Sequence, residues 1–187
     1  LSRSAAGRDQ SARRTLKRLH AAIRGEVQSY LELAADYMDC GFTDEAIDVL
    51  TRAVRSEADG AGSYPMVHYY LGYLHQQKGQ TRQAGRHFQR ASQMPTDYCF
   101  PFRLESIDVL RAAIERNPSD ARAYYYLGNL LYDIQPDEAL RQWEKSASLD
   151  EGLAIVHRNL GWGYARHAND TKRAIGKYEQ AIACNRQ

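Results

Sequence analysis

Ala123-Tyr124-Tyr125-Tyr126-Leu127-Gly128, followed by Pro136-Asp137-Glu138-Ala139-Leu140-Arg141-Gln142-Trp143-Glu144-Lys145-Ser146, is the stretch that decides the fold. Ala139, Trp143 and Ser146 stand at i, i+4 and i+7, one face of a helix. Gly128 falls in the middle of the preceding helical run, where glycine costs about 1 kcal/mol relative to alanine. The same signature recurs as Leu71-Gly72 with Ala84, Phe88 and Ala91, and as Leu160-Gly161 with Ala174, Tyr178 and Ala181. Ala34 with Ala46, Leu50 and Ala53 is a further copy. A cost repeated at one phase needs a packing reason. The reading is a close crossing of two helices, the small residue facing Ala46, Ala84, Ala139 or Ala174 and the aromatic filling space against the next hairpin.

The pattern of a bulky residue, Leu, Gly or Ala, then Ala, an aromatic and Ala resembles the tetratricopeptide repeat family. Tyr30, His68, Tyr124 and His157 take the bulky position, and Asn117-Pro118 matches the closing proline. The resemblance implies an all-α, right-handed superhelical solenoid of helix-turn-helix repeats. Repeats are expected over residues 27–57, 64–94, 120–149 and 153–184, each a helical hairpin. Gly41-Phe42-Thr43-Asp44 breaks the first of them, with Thr43 or Asp44 as N-cap. Residues 9–24 read as a half repeat or capping helix, with Ala12, Leu16 and Leu19 in phase. The chain reads as an excised piece of a longer protein.

Marker spacings are 34 (Ala12 to Ala46), 38 (to Ala84), 22 (to Ser106), 33 (to Ala139) and 35 (to Ala174). The 22 marks one irregular repeat, 95–117. Glu105–Arg116 forms its second helix, but Pro95-Thr96-Asp97-Tyr98-Cys99-Phe100-Pro101-Phe102-Arg103 stands where the first should be. Two prolines forbid a regular helix there. An extended segment over 95–103 is expected. Tyr98, Phe100, Phe102 and Arg103 then line a groove, or their aromatics fill the missing helix's volume. The Cys-Phe-Pro-x-Arg string also resembles the repeat region of bacterial proteins that join such arrays to a mutarotase-like β-sandwich.

Composition narrows the function. The net charge is +2, which argues for neither nucleic acid nor membrane. Residues 1–25 carry seven Arg or Lys against Asp9, a net +6, which leaves the rest at −4. RNA binding by this basic end is the weakest reading, since no aromatics are interleaved there. Cys40, Cys99 and Cys184 lie far apart with no CxxC or Cys/His ligand spacing, so no disulfide framework or zinc site is expected and a reduced, cytoplasmic setting is the default. No cofactor or metal is expected. The six histidines lack HExxH spacing, no P-loop or GxSxG is present, and the chain reads as non-enzymatic.

First helices of this family line the ligand groove. With the phase above, outward positions are Leu31, Tyr69, Tyr125 and Arg158, then Ala35, Tyr73, Asn129 and Trp162. Tyr132 and Arg166 follow one turn on. Tyr124, at the bulky position, is expected to be more buried than Tyr125. Tyr, Trp and Arg dominate interaction hot spots, so the expectation is a protein or peptide partner, or another domain of the same chain. An alternative is an accessory domain of a carbohydrate-active protein. The chaperone-tail clamp of the family needs Lys, Asn and Arg at these places, and only Asn129 fits.

Overall fold

A computed structural model of the chain describes Arg18, residues 26–55 and residues 64–185. The half repeat expected over 9–24, with its basic face, lies outside the described residues apart from Arg18. Among the described residues there are nine helices and no strand: α1 (Val27–Asp39), α2 (Thr43–Arg55), α3 (Pro65–Gln77), α4 (Thr81–Ser92), α5 (Glu105–Arg116), α6 (Ala121–Leu131), α7 (Pro136–Leu149), α8 (Ala154–Arg166) and α9 (Thr171–Cys184). The chain divides into two compact units, residues 1–63 and 64–187.

In the first unit α1 packs on α2 around Tyr30, Ala34, Ala46 and Leu50. The turn between them is closed by Gly41, whose φ of +76° sets a left-handed C′ residue. Its N–H donates to Met38 O at 2.9 Å, and that of Phe42 to Tyr37 O at 2.8 Å. Thr43 and Asp44, expected as N-caps, are instead the first helical residues. Phe42 O accepts from Ala46 N, and Asp44 and Glu45 place acidic charge in the first turn, where it complements the helix dipole.

The second unit is a helical repeat solenoid. The hairpins α3/α4, α6/α7 and α8/α9 repeat one packing, and α5 stands without a first helix of its own. The glycine at each crossing has a partner other than the one expected. A Cβ on Gly128 would lie 2.4 Å from Cδ1 and Nε1 of Trp143, and one on Gly72 would lie 2.5 Å from the Phe88 ring. One on Gly161 would lie 2.9 Å from Tyr178. The aromatic, rather than the alanine, covers the glycine of its own hairpin. Only then does the far edge of Trp143 reach the next hairpin, 3.5 Å from where a Cβ of Gly163 would sit.

The irregular repeat changes this packing. With no first helix before it, α5 packs on α3 and on α6. The Tyr70 hydroxyl bonds Ser106 Oγ at 2.8 Å. Tyr69 meets Tyr126 edge to face at 6.1 Å. Its hydroxyl donates to the buried Asp120 carboxylate, 3.1 Å from Oδ1 and 3.0 Å from Oδ2. Asp120 also caps α6, accepting from Ala123 N at 3.1 Å. Burial raises the Asp120 pKa against these bonds, which favour its charge.

Candidate functional site on the first-helix face

Six of the expected groove residues come together on α6 and α8. Asn129 is the hub: its Oδ1 accepts from Trp143 Nε1 at 3.1 Å and from Asn159 Nδ2 at 2.9 Å. Asn159 Oδ1 in turn accepts from Arg158 Nη2 at 3.1 Å. Tyr132 stacks on Trp143 at 5.2 Å and lies close to Trp162 and Arg166. The Arg166 guanidinium sits 5.4 Å over the Trp162 ring, and Trp162 remains 50% exposed. Tyr125 is buried below, its hydroxyl beside Asn129, Cys99, Arg158 and Asp97. Burial, first of all, pushes its pKa up.

Two expected groove residues lie elsewhere. Tyr69 is fully buried, because the shortened repeat brings Asp120 onto it. Tyr73 is half-buried on α3. The order of Tyr124 and Tyr125 is the reverse of that expected: Tyr124 is half-buried and Tyr125 buried.

Segment 95–104 is turned and then alternating, rather than extended throughout. A turn closes from Cys99 N to Thr96 O at 3.3 Å, and Tyr98 takes a left-handed φ of +56°. That conformation is rare for a bulky residue. It sends Cys99 inward against the hydroxyls of Tyr64 and Tyr126, and burial pushes the thiol pKa up. Arg122 Nε fixes the start of the segment at Met94 O, 2.7 Å away. The large side chains do not fill the missing helix's volume. Tyr98, Phe100, Phe102 and Leu104 are 88%, 66%, 61% and 67% exposed. Arg103 turns back to Glu105 Oε1 at 3.1 Å.

Two clefts flank α8. One of about 480 Å³ opens between Thr96–Asp97, the start of α8 and the end of α9, with Arg158 and Asp97 at its rim and Ile155, Tyr178 and Ile182 in its wall. The other, about 510 Å³, holds His157 and Cys184, which both bond Glu151 O, at 3.0 and 3.2 Å. His157 Nε2 and Cys184 Sγ thus share one loop carbonyl as partner, while the buried His157 Nδ1 has none among the described residues. Three more histidines stack between α3 and α4. His87 lies 5.2 Å from His68 and 5.3 Å from His75, and its Nδ1 is 2.9 Å from that of His68. Burial, then the two neighbouring rings, lowers the His87 pKa to about 4. No group of three His, Cys, Asp or Glu among the described residues could hold a metal ion. No described helix is long and apolar enough to cross a membrane.

Residues 104–147 match a family model described as tetratricopeptide repeat. That stretch runs through α5, α6 and most of α7, and the hairpins α3/α4 and α8/α9 repeat its glycine-under-aromatic crossing. The fold is an all-α helical repeat solenoid, and within it residues 104–147 are similar to the tetratricopeptide repeat. No curated protein matches the array. Among solved structures, a crystal structure of MamA is similar at 24% identity over 99% of this chain and 93% of that one, with a TM-score of 0.44. MamA 41-end from Desulfovibrio magneticus RS-1 is 23% identical over 86% and 95%, with a TM-score of 0.41. YrrB, described as a TPR protein with an unusual peptide-binding site, is 20% identical over 90% and 93%, also at 0.41.

Sequence reasoning missed Asp97, Asp120 and the Asn129–Asn159 bond. Asp120 does precede a helical run, which marks an N-cap. Its bond to Tyr69 depends on two repeats closing over the missing helix, and no local spacing reports that.

Proposed function

We propose that the array works without bond chemistry, as a scaffold that holds a peptide or partner surface against the α6–α8 face. The Trp162–Arg166 pair carries this reading. An indole left half in water, with a cation over one side, is an unsatisfied contact beside a cleft rimmed by Arg158 and Asp97. Burying a large aromatic returns about 25 cal/mol per Å² of apolar area, and such residues anchor most measured interfaces. The hydrogen bond between Asn129 and Asn159 ties α6 to α8 and supports a preorganised platform, which lowers the ordering cost of binding.

The test is a peptide library, an oligosaccharide panel and RNA, each titrated into wild type and into Trp162→Ala, Arg158→Ala and Tyr73→Ala. Selected peptides are expected to bind at least tenfold more weakly to Trp162→Ala, at an unchanged melting temperature. Peptide binding unchanged in all three variants refutes the face. Saturable oligosaccharide binding lost in Trp162→Ala would move the reading to the carbohydrate-associated alternative. A second reading is supported by the ridge of Tyr98, Phe100, Phe102 and Leu104, whose exposure suits contact with another domain of the same chain.

A further inference from the structure

We infer that α4 presents a cationic face to an acidic helix of another protein, apart from the α6–α8 face. Arg82, Arg86 and Arg90 stand at i, i+4 and i+8 on this helix, so their side chains follow one stripe at steps of about 6 Å. All three are exposed, and Thr81–Ser92 contains no acidic residue. Arg116 of α5 joins them. Its Nη2 lies 3.6 Å from where a Cβ of Gly85 would sit, in the turn between Arg82 and Arg86. None of these four guanidinium groups has a hydrogen bond or ion pair among the described residues.

The repeat register sets this helix apart from the other second helices. Ala46, Ala84, Ala139 and Ala174 occupy one position, so the two residues before each of them correspond. They are Asp44-Glu45 on α2 and Asp137-Glu138 on α7, acids that complement the helix dipole. On α4 they are Arg82-Gln83, a cation in the first turn, where the dipole disfavours it. α9 also has a basic first turn, Lys172-Arg173, but there the capping Asp170 accepts from Arg173 Nε at 2.6 Å. The N-cap of α4, Gln80, makes no side-chain bond to its helix and bonds His75 instead. Elsewhere the second helices pair an arginine within one turn, Arg52 with Asp48, Arg111 with Asp108 and Arg141 with Glu138. A local rule broken on one helix, with no compensation among the described residues, points to a contact made outside them.

The surroundings of the stripe discriminate among anionic partners. The exposed positions of α4 are Thr81, Arg82, Gln83, Arg86, Gln89 and Arg90. No aromatic is among them to stack bases, and no large apolar side chain to enter a membrane. Glu115, exposed beside Thr81 and Ala84 in a cleft of about 240 Å³, repels an unbroken row of phosphates along that edge. A protein segment places carboxylates over the arginines and a neutral or basic residue beside Glu115. Asp or Glu at every fourth position of an α-helix repeats the step of about 6 Å. Each carboxylate then meets a planar guanidinium fork, the pairing arginine makes best.

The probe is an Ala-rich helical peptide of about 20 residues with Glu at every fourth position. It is titrated into the isotope-labelled full chain and followed by backbone amide chemical shifts. An isomer with the same Glu residues moved to consecutive positions carries equal charge without the spacing. Saturable shifts are expected on α4 and at the end of α5. One exposed ion pair is worth up to about fivefold in affinity, so Arg82→Gln combined with Arg86→Gln and Arg90→Gln should weaken binding at least tenfold. The melting temperature of that triple variant should be unchanged or higher, since a cation leaves the first turn. The isomer should bind about fivefold more weakly, and binding should weaken as salt is raised from about 50 to about 200 mM. Charge reversal is the second variant: Arg86→Glu should lose the peptide and recover a form with Lys in place of its central Glu. No saturable shift, equal binding of the two peptides, or binding that both variants leave intact overturns the proposal. Tighter binding of single-stranded RNA or of phosphatidylserine vesicles than of the peptide also overturns it. So does a dimer of the chain that the triple variant dissolves, which would assign the face to a second copy.

Discussion

Alanine at two glycines should move stability in opposite directions. At Gly128 the helix itself gains about 1 kcal/mol from the substitution. The new Cβ, however, falls 2.4 Å from Cδ1 and Nε1 of Trp143 and 3.0 Å from Cγ, so the ring must move from its root. Overpacking of this kind costs about 1–3 kcal/mol. The indole is also held by Nε1 bonds to Tyr125 O at 3.2 Å and Asn129 Oδ1 at 3.1 Å, and by its stack on Tyr132. Each neutral hydrogen bond weakened adds about 1 kcal/mol. The net is a loss of about 2 kcal/mol, which for a chain of this size lowers the melting temperature by about 4–8 °C. Gly176→Ala has the propensity gain and no clash, so it should raise melting by about 2–4 °C. The assay is thermal unfolding by far-UV circular dichroism, with Trp fluorescence following the Trp143 environment. Gly161→Ala, whose Cβ would meet Tyr178 at 2.9–3.0 Å, should lie between the two. Stabilisation by Gly128→Ala, or destabilisation by Gly176→Ala, would refute the assignment of these glycines to packing.

The other predictions concern buried polar groups. Tyr69→Phe removes the donor to Asp120 and should cost about 1.5–3 kcal/mol in urea unfolding. Asp120→Ala should cost more, about 2–4 kcal/mol, because it takes away the α6 cap and leaves the Tyr69 hydroxyl buried without its acceptor; equal stability of the two variants would sink the shared-carboxylate account. His87 is held neutral, with its pKa lowered from 6.5 to about 4. The folded state therefore binds fewer protons than the unfolded one in that window. Its contribution is complete above pH 6.5 and is lost as pH falls towards 4. Asp120, with its pKa raised from 3.8, acts in the opposite sense, so the His87 effect is read as a difference. The urea midpoint of wild type should fall more than that of His87→Gln between pH 7.5 and pH 5, and parallel curves would contradict it.

Periodicity carried the fold. Leu127-Gly128 and Ala139-Leu140 encode one crossing, and its recurrence at about 34 residues places the hairpins. The partner of the glycine was harder to read. Spacing says that a small residue faces the other helix but not which of its residues it meets, and the large ring of Phe88, Trp143 or Tyr178 displaces the alanine as the neighbour. Positions on the first helices were legible where the repeat is regular. Asn129, Tyr132, Arg158, Trp162 and Arg166 follow from phase alone. Tyr69 has the same phase, and it is buried because of what happens 51 residues later, at Asp120.

That displacement shows what the irregular step does. A first helix between α3 and α6 would have kept Asp120 away from Tyr69. Segment 94–99 spans that interval instead, joined to Arg122 at Met94 and set against Tyr64 and Tyr126 at Cys99. The exchange moves one aromatic inward and three outward: Tyr69 leaves the face, while Tyr98, Phe100 and Phe102 enter solvent. The inward move is explained by packing and by the Asp120 bond. The outward one is not. A left-handed Tyr98 costs roughly 1–2 kcal/mol in backbone strain, and its ring, 88% exposed, recovers none of this from the described structure. Cys99 alone would satisfy the interior with a small or polar residue at 98. The strain at Tyr98 and the exposure of Phe100 and Phe102 thus have no account in the packing of the described residues.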